Sequence, residues 1–136
     1  MPLLESAKSL IEAATGIGTP DRRGLASLLR ERKPLRFRFA STSEISNNRW
    51  PMLVYRDAVT LDGRYDPAAI FETLFKKNGW KGQWRDGMYD WLHYHSNTHE
   101  VLGIAKGWLH GRFGGKKGRI VPATFSCFPL EPDTTG

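Results

Sequence analysis

Residues 87–107 read GMYDWLHYHSNTHEVLGIAKG and hold three of the chain's four histidines. His93 and His95 are two positions apart, a spacing that places both imidazoles on the same face of a β-strand. A short polar turn follows, and Glu100 then begins an apolar stretch. If the two strands pair across that turn, Glu100 faces both histidines. Two imidazoles and one carboxylate on one side of a metal form a facial triad with open positions for a substrate, so the spacing predicts a metal site.

The ligand types leave two questions open. A His-x-His pair is more often incidental, with its ring nitrogens hydrogen-bonded to backbone or water, and the added carboxylate favours a metal site only modestly. The same three ligands suit iron, manganese, nickel, copper or zinc. The expected cofactor is therefore a divalent transition metal whose identity the residues do not determine.

The composition is that of an ordinary globular protein. The chain has 136 residues, of which 40% are apolar and 25% charged, which predicts one domain and excludes collagen, low-complexity disorder and a coiled coil. Cys127 is the single cysteine and cannot form an internal disulfide, which favours the reducing cytoplasm. The first fifteen residues lack the pattern of a secretory signal. The apolar runs are too short to span a bilayer, so no membrane partner is expected.

The charge balance permits an anionic partner without identifying one. Twenty Lys and Arg residues face fourteen Asp and Glu residues, a net charge of +6. Acidic residues interrupt the basic run between Arg22 and Arg38, and no nucleic-acid motif accompanies it, so a solvated face is the default interpretation and nucleic acid is not the expected partner. The Gly114–Gly118 segment lacks the frame of a phosphate loop and predicts a hairpin turn.

Residues 1–34 predict a helical extension on the main domain, either packed on it or poorly ordered. Apolar residues recur at helical spacing over residues 3–14. A second helix is predicted from Thr19 as N-cap, with Pro20 at its first position, to Lys33, where Pro34 would end it.

From residue 35 onward the pattern predicts a mainly β fold with one internal helix. Asp66 caps that helix, Pro67 opens it, Lys77 ends it, and Gly79 supplies the left-handed conformation that follows. Asp62-Gly63 predicts a turn. Short strands with turns between them, typical of a barrel or a sandwich, are predicted over residues 35–39, 52–55, 91–95, 100–105 and 108–113.

Five residues of this region also occupy every fixed position of the first motif of the cupin superfamily: Gly87, His93, His95, Glu100 and Gly107. The neighbouring segments Pro51–Arg56, Asn78–Trp80 and Gln83–Tyr89 strengthen the likeness. Over residues 37–118 the chain resembles small, largely uncharacterised bacterial single-domain cupins.

The resemblance implies a jelly-roll (RmlC-like) barrel whose interior carries a metal on His93, His95 and Glu100. A fourth ligand, a histidine, normally follows a Pro-x-Gly in a second cupin motif, and neither occurs after Gly118. The expectation is therefore a truncated cupin domain over residues 35–118, a divergent tail over 119–136 of which residues 131–136 are loose, and a weakened metal site. Of two substitute ligands, His110 is preferred over His99, which would point to the opposite face of its strand.

An incomplete barrel exposes strand edges, which predicts association with a second copy as a homodimer or support from the N-terminal helices. The expected function is a metal-binding cupin domain that binds or acts on a small molecule in the barrel; if it is an enzyme, it is of the metal-dependent oxygenase or isomerase type. The alternatives are a small-molecule binder without metal and a basic nucleic-acid-associated protein. Arg85 is expected in a surface or structural ion pair rather than on an acidic substrate. Five aromatic residues could line a pocket, but core positions are the more common outcome and are expected here: Trp80, Trp84, Tyr89, Trp91 and Tyr94.

Overall fold

The computed structural model describes residues 7, 10, 18–47, 49–124 and 130–131. These residues form few helices and short antiparallel strands in two small sheets, consistent with a mainly β fold. The helices are α1 (Arg22–Leu28) and α2 (Pro67–Lys77). The strands are β1 (Leu35–Phe37), β2 (Met52–Val54), β3 (Trp108–Phe113), β4 (Arg119–Thr124) and β5 (Leu130–Glu131). No described helix has the length and apolar character needed to cross a membrane.

Helix α2 confirms the prediction at both ends. The Asp66 side chain accepts a hydrogen bond from the backbone N–H of Ala68 at 3.3 Å, and Pro67 occupies the first helical position. Beyond the helix, Gly79 has a φ of +83°, the left-handed conformation that glycine adopts without steric penalty. The local signals sufficed here because capping and proline placement act within one turn of the chain.

Helix α1 is shorter than predicted. Its N-cap is Asp21, whose carboxylate accepts from the N–H of Gly24 at 2.7 Å, so the predicted cap at Thr19 is wrong. The helix ends at Leu28 instead of Lys33 because the following backbone pairs with another segment: the N–H of Arg30 donates to the carbonyl of Ala58 at 2.8 Å. The predicted helix over residues 3–14 lies outside the described residues, except for positions 7 and 10.

The two helices share one hydrophobic core. Leu25 and Leu28 of α1 are 1% and 3% exposed and pack with Ile70, Phe71 and Leu74 of α2. Burying one such side chain stabilises the fold by about 1.5–3 kcal/mol relative to leaving it exposed. The described part of the N-terminal extension is therefore packed against the domain rather than poorly ordered.

The first sheet has the order β1-β2-β5, with antiparallel pairs. Met52 and Val54 of β2 are buried and pack with Phe113 and Val121 of the second sheet in a second core cluster. β5 lies in the divergent tail and reaches Glu131, the first residue of the part predicted to be loose, and its backbone pairs with β2. Residues 125–129 and 132–136 lie outside the described residues.

The second sheet is a hairpin of β3 and β4. β3 has the predicted bounds, and the predicted turn follows it, with Gly114 and Gly115 at φ values of +86° and +94°. Arg112 closes the turn by donating to the carbonyls of Lys116 and Gly118 at 3.2 and 3.3 Å. β4 was not predicted, and it lies in the divergent tail, beyond the end predicted for the domain at residue 118. Six paired positions along β3 stabilise this strand, although Pro122 provides no N–H to it.

The strands predicted over residues 91–95 and 100–105 are wrong. The residues between α2 and β3 form no strand of the two sheets. A strand persists where a neighbouring strand satisfies its backbone hydrogen bonds, and none of the described ladders runs beside either segment. This region is instead an irregular segment over residues 80–107 that leads from α2 to β3.

Candidate metal centre

The irregular segment 80–107 lines a cavity of about 810 Å³ together with α2 and the start of β3. Phe71 and Phe75 of α2 form part of the cavity wall. Three of the four histidines, His93, His95 and His99, also line it, as does Glu100.

His93, His95 and Glu100 come together in this cavity. Each offers one ligand atom, and these atoms all lie within 4.8 Å of one another. Metal–ligand bonds of about 2.0–2.2 Å hold three donor atoms on one side of an ion about 3–3.6 Å apart, so side-chain movements of about 1–2 Å would bring these atoms to bonding distance. The juxtaposition predicted from the spacing is present, but a bend at Ser96–Asn97 produces it, and not a pair of hydrogen-bonded strands.

The ring nitrogen Nε2 of His95 is the most informative atom of the group. It lies 3.5 Å from Oε2 of Glu100, is shielded from solvent, and has no hydrogen-bond partner among the described residues. A buried polar atom left unsatisfied costs about 1–3 kcal/mol, so such atoms are rare without a reason. A cation held by Nε2 and the carboxylate would satisfy both atoms. The donor set thus fits a divalent transition metal.

His93 is oriented by its neighbours on the same segment. Its Nδ1 lies 3.4 Å from the backbone oxygen of Trp91, and a hydrogen donated there places the free lone pair on Nε2, the arrangement common among metal-binding histidines. The ring of Tyr89 meets the imidazole edge-on at 5.3 Å and stacks on Trp91 at 4.6 Å. Tyr89 and Trp91 therefore restrict the position of the His93 imidazole, a role that the sequence did not reveal.

Neither substitute histidine joins the ligand group, whose only members among the described residues are the three named above. His99 is exposed and lines the cavity. His110 is exposed on β3, with its ring 5.3 Å from that of Trp108, and does not line the cavity. The structure therefore supports neither substitute, and the reason given against His99 is wrong because the strand that was expected to turn it away does not form.

Arg85 attaches the ligand-bearing segment to α2. Its guanidinium forms ion pairs with Glu72 and, at 2.8 Å, with Asp66. These contacts confirm the prediction that Arg85 forms a structural ion pair. Partial burial disfavours the charge of Arg85, but the hydrogen bond to Glu72 and the charges of Glu72 and Asp66 outweigh it and raise the pKa of the guanidinium. Arg85 is consequently engaged with the fold and not held free for an acidic ligand.

The aromatic residues of this segment lie at the surface. Trp84 and Trp91 are 65% and 61% exposed, and Tyr89 and Tyr94 are 47% and 48% exposed, so the core positions expected for them are wrong. Trp80 is half-buried and lines the cavity with Trp84 and Tyr89. The glycines at 79, 82 and 87, which interrupt any regular element here, are the signal that could have indicated this arrangement.

The basic residues of the first half are exposed, as the interpretation of a solvated face requires. The exposed basic residues are Arg22, Arg23, Arg30, Arg32, Lys33, Arg36 and Arg38. Some of these guanidiniums bond within the fold: Arg32 and Arg38 donate to the backbone oxygens of Asp57 and Arg49.

Comparison with known proteins finds one relative among the curated proteins. The uncharacterized protein YjlB of Bacillus subtilis (strain 168) is 32% identical over 93 residues, which cover 68% of this chain and 53% of that protein. The chain thus spans about half the length of the relative that it matches. No family model and no solved structure matches the chain.

Proposed function

We propose that this chain is a metal-binding cupin-domain protein in which His93, His95 and Glu100 hold a divalent transition metal beside a cavity that takes a small molecule. One observation carries the proposal: Nε2 of His95 is buried, has no hydrogen-bond partner in the part of the chain that the structure describes, and lies 3.5 Å from the Glu100 carboxylate. A ligand atom of His93 lies within 4.8 Å of the other two. Among the described residues this nitrogen lies beside the Glu100 carboxylate without a hydrogen bond, and a cation bound between them would satisfy both groups.

The carboxylate and the two imidazoles would contribute differently to binding of the ion. Glu100 supplies the negative charge that offsets part of the ion's charge, and it is sheltered, with a side chain 18% exposed. His93 and His95 supply neutral nitrogen donors, which suit iron, manganese, nickel, copper and zinc. Three protein ligands leave coordination positions open, and without a fourth histidine the affinity is expected to be lower than that of a complete cupin site.

The cavity beside the ligands has the properties of a small-molecule site. Its volume of about 810 Å³ falls within the range of ligand pockets. Phe71, Phe75 and Trp80 give it an apolar wall that excludes water from part of a bound molecule. When bound, the metal would supply Lewis acidity or a redox centre, the chemistry of isomerase-type and oxygenase-type cupins.

The jelly-roll part of the proposal is supported by the motif and by the short antiparallel strands in two sheets, the kind of element from which jelly rolls are built. The cytoplasmic setting rests on the single cysteine. A second candidate function, binding of a small molecule without metal, is favoured by the same cavity.

Calorimetric titration of tag-free, chelator-treated protein with Mn²⁺, Fe²⁺, Ni²⁺, Cu²⁺ and Zn²⁺ separates the two candidates. The proposal predicts one ion per chain for at least one metal and at least a tenfold loss of affinity in His95→Ala. His110→Ala is the matched control, since it removes an exposed imidazole that does not line the cavity, and it should bind like the parent. Equal binding by parent and His95→Ala, both folded by circular dichroism, would contradict the proposal.

A further inference from the structure

The acidic side chains of the cavity wall are already engaged. Among the described residues, three carboxylates line the cavity: those of Glu72, Asp86 and Glu100. Glu72 pairs with Arg85, and Oδ1 of Asp86 accepts from the next backbone N–H at 2.7 Å. Glu100 is the carboxylate that the proposed ion would use. The wall therefore offers little negative charge for a cationic ligand.

The basic side chains of the wall divide into two kinds. The guanidinium of Arg85 is held by Glu72 and Asp66, as described above. Lys81 and Lys106 also line the cavity, and neither ammonium group forms an ion pair or a hydrogen bond with a residue in the described ranges. The charge of the wall that has no partner in the fold is therefore mainly positive.

Both lysines lie where segment 80–107 joins a regular element. Trp80, directly before Lys81, donates its backbone N–H to the carbonyl of Phe75 in α2 at 3.0 Å. Lys106 is followed by Gly107, which has a φ of +76°, and then by the first residue of β3. The elements α2 and β3 thus fix the backbone beside both lysines. Their flexible four-carbon stems leave the ammonium groups able to move onto a bound molecule.

Much of the remaining wall is apolar and continuous with the protein interior. Phe71 and Phe75 line the cavity with their ring centroids 5.9 Å apart. Leu102 and Ile104 line it too and pack against the core between the two sheets, whereas Ala105 packs against the core of the helices. An apolar wall with a few polar groups is the usual composition of a small-molecule site, in which the polar groups fix orientation.

We propose that the cavity takes a small organic anion, whose apolar body lies against Phe71 and Leu102 and whose carboxylate or phosphate is stabilised by Lys81 and Lys106. This inference rests on the small-molecule part of the proposed function and names the class of molecule. Hydrogen bonds between an ammonium group and an anionic oxygen are roughly twice as strong as neutral ones. A divalent ion carries more charge than Glu100 offsets, so loading the metal site strengthens the same preference.

Three probes with one apolar body test the charge preference: the anions 2-naphthoate and 2-naphthyl phosphate, and the neutral 2-naphthamide. Ligand-observed NMR measures their dissociation constants in metal-free and metal-loaded protein. We expect at least one anion to bind about threefold or more tighter than the amide without metal, and about tenfold or more tighter with it. Preference for either anion supports the inference, and the tighter of the two identifies the head group.

Variants of the two lysines assign the preference to the cavity. Combining Lys81→Met with Lys106→Met should weaken binding of the preferred anion about fivefold or more and leave 2-naphthamide binding unchanged. Lys77→Met is the matched control, because it removes the same charge from an exposed lysine that does not line the cavity. It should bind all three probes like the parent.

Metal uptake, measured separately by calorimetry, distinguishes failure of this inference from failure of the proposed metal site. An anion preference that depends on the two lysines in a protein without metal uptake would retain the inference and contradict only the metal site. Three results would overturn the inference even where one ion binds per chain. They are no binding of either anion at about 5 mM, equal affinity for anions and amide, and an anion preference unchanged in the folded double variant.

Discussion

Arg85 and Glu72 join the segment that carries the candidate metal ligands to the helix on which the cavity rests. Nε of Arg85 donates to Oε1 of Glu72 at 3.0 Å, and the same guanidinium reaches the N-cap residue Asp66. Gln83, two residues earlier, donates to the backbone oxygen of Glu72 at 3.1 Å. Two neighbouring side chains thus hold the start of an otherwise irregular segment against α2.

Replacing Arg85 should loosen this attachment. We expect Arg85→Met to lower the free energy of unfolding by about 1 kcal/mol, since the pair is partly exposed and screened by solvent. Arg85→Lys should recover part of the loss, because lysine retains the charge but cannot bridge two carboxylates in a planar fork. Urea denaturation measures both. Arg64→Met, which breaks the exposed pair with Asp62, is the control and should change stability by less than about 0.5 kcal/mol; an equal loss in both Met variants would refute the assignment.

Gly103 should tolerate no side chain. A Cβ atom added there would lie 2.5 Å from two ring carbons of Phe71, which is 3% exposed in the core of α2. We expect Gly103→Ala to destabilise the fold by about 1–3 kcal/mol, the usual effect of overpacking. Gly63→Ala is the matched control, because its Cβ would meet nothing within 4 Å. Thermal unfolding of the two variants should differ clearly, and coincident melting curves would show that segment 101–105 does not approach α2 as described.

The turn before α2 has a defined acid response. The side-chain hydrogen bond from Arg64 lowers the pKa of Asp62 below its ordinary value of 3.8. Folding lowers the pKa of the Asp62 carboxyl. The stabilisation from its pairing with Arg64 is therefore fully present above the pKa of the unfolded state, and it is lost as the pH falls through the lower pKa of the folded state. NMR titration of the Asp62 carboxyl should give a pKa below 3.8, and Arg64→Gln should return it toward that value. An unchanged pKa in the variant would exclude this pairing in solution.

Metal should stabilise the folded chain through the three candidate ligands. Free ion at about 100 times its dissociation constant adds about 2.7 kcal/mol to the free energy of unfolding. Differential scanning fluorimetry should therefore show a raised Tm for the parent and no rise for Glu100→Gln. Glu44→Gln, which changes a carboxylate paired with Lys116 at 3.3 Å far from the ligands in sequence, should respond like the parent. A rise in Glu100→Gln equal to that of the parent would place the bound metal elsewhere.

Features that depend on neighbours in the chain were predictable from sequence. Asp66, Pro67 and Gly79 act within a turn of α2, and both ends of this helix followed from them. The turn at Gly114 followed from local signals as well. Helix α1 shows the limit, because its end at Leu28 is set by hydrogen bonds to residues about thirty positions away.

Features that depend on long-range pairing were not predictable. The alternation at 91–95 and 100–105 is typical of strands, but a strand requires a partner, and sequence pattern does not supply one. β4 was missed for the opposite reason: departure from the cupin motif after Gly118 suggested that the domain ends there, whereas residues 119–124 pair along all of β3. The prediction of the ligand group does not depend on these strands, because only four residues separate His95 from Glu100 and keep the two side chains close whether the backbone bends or pairs.

Elemental analysis of the chain isolated without an affinity tag and without added metal tests the central claim most directly. The account predicts a substantial fraction of one transition-metal ion per chain, and loss of that metal in His93→Ala, His95→Ala and Glu100→Ala but not in His110→Ala. Less than about a tenth of an equivalent in the parent, with no uptake when iron, manganese, nickel, copper or zinc is supplied, would contradict it.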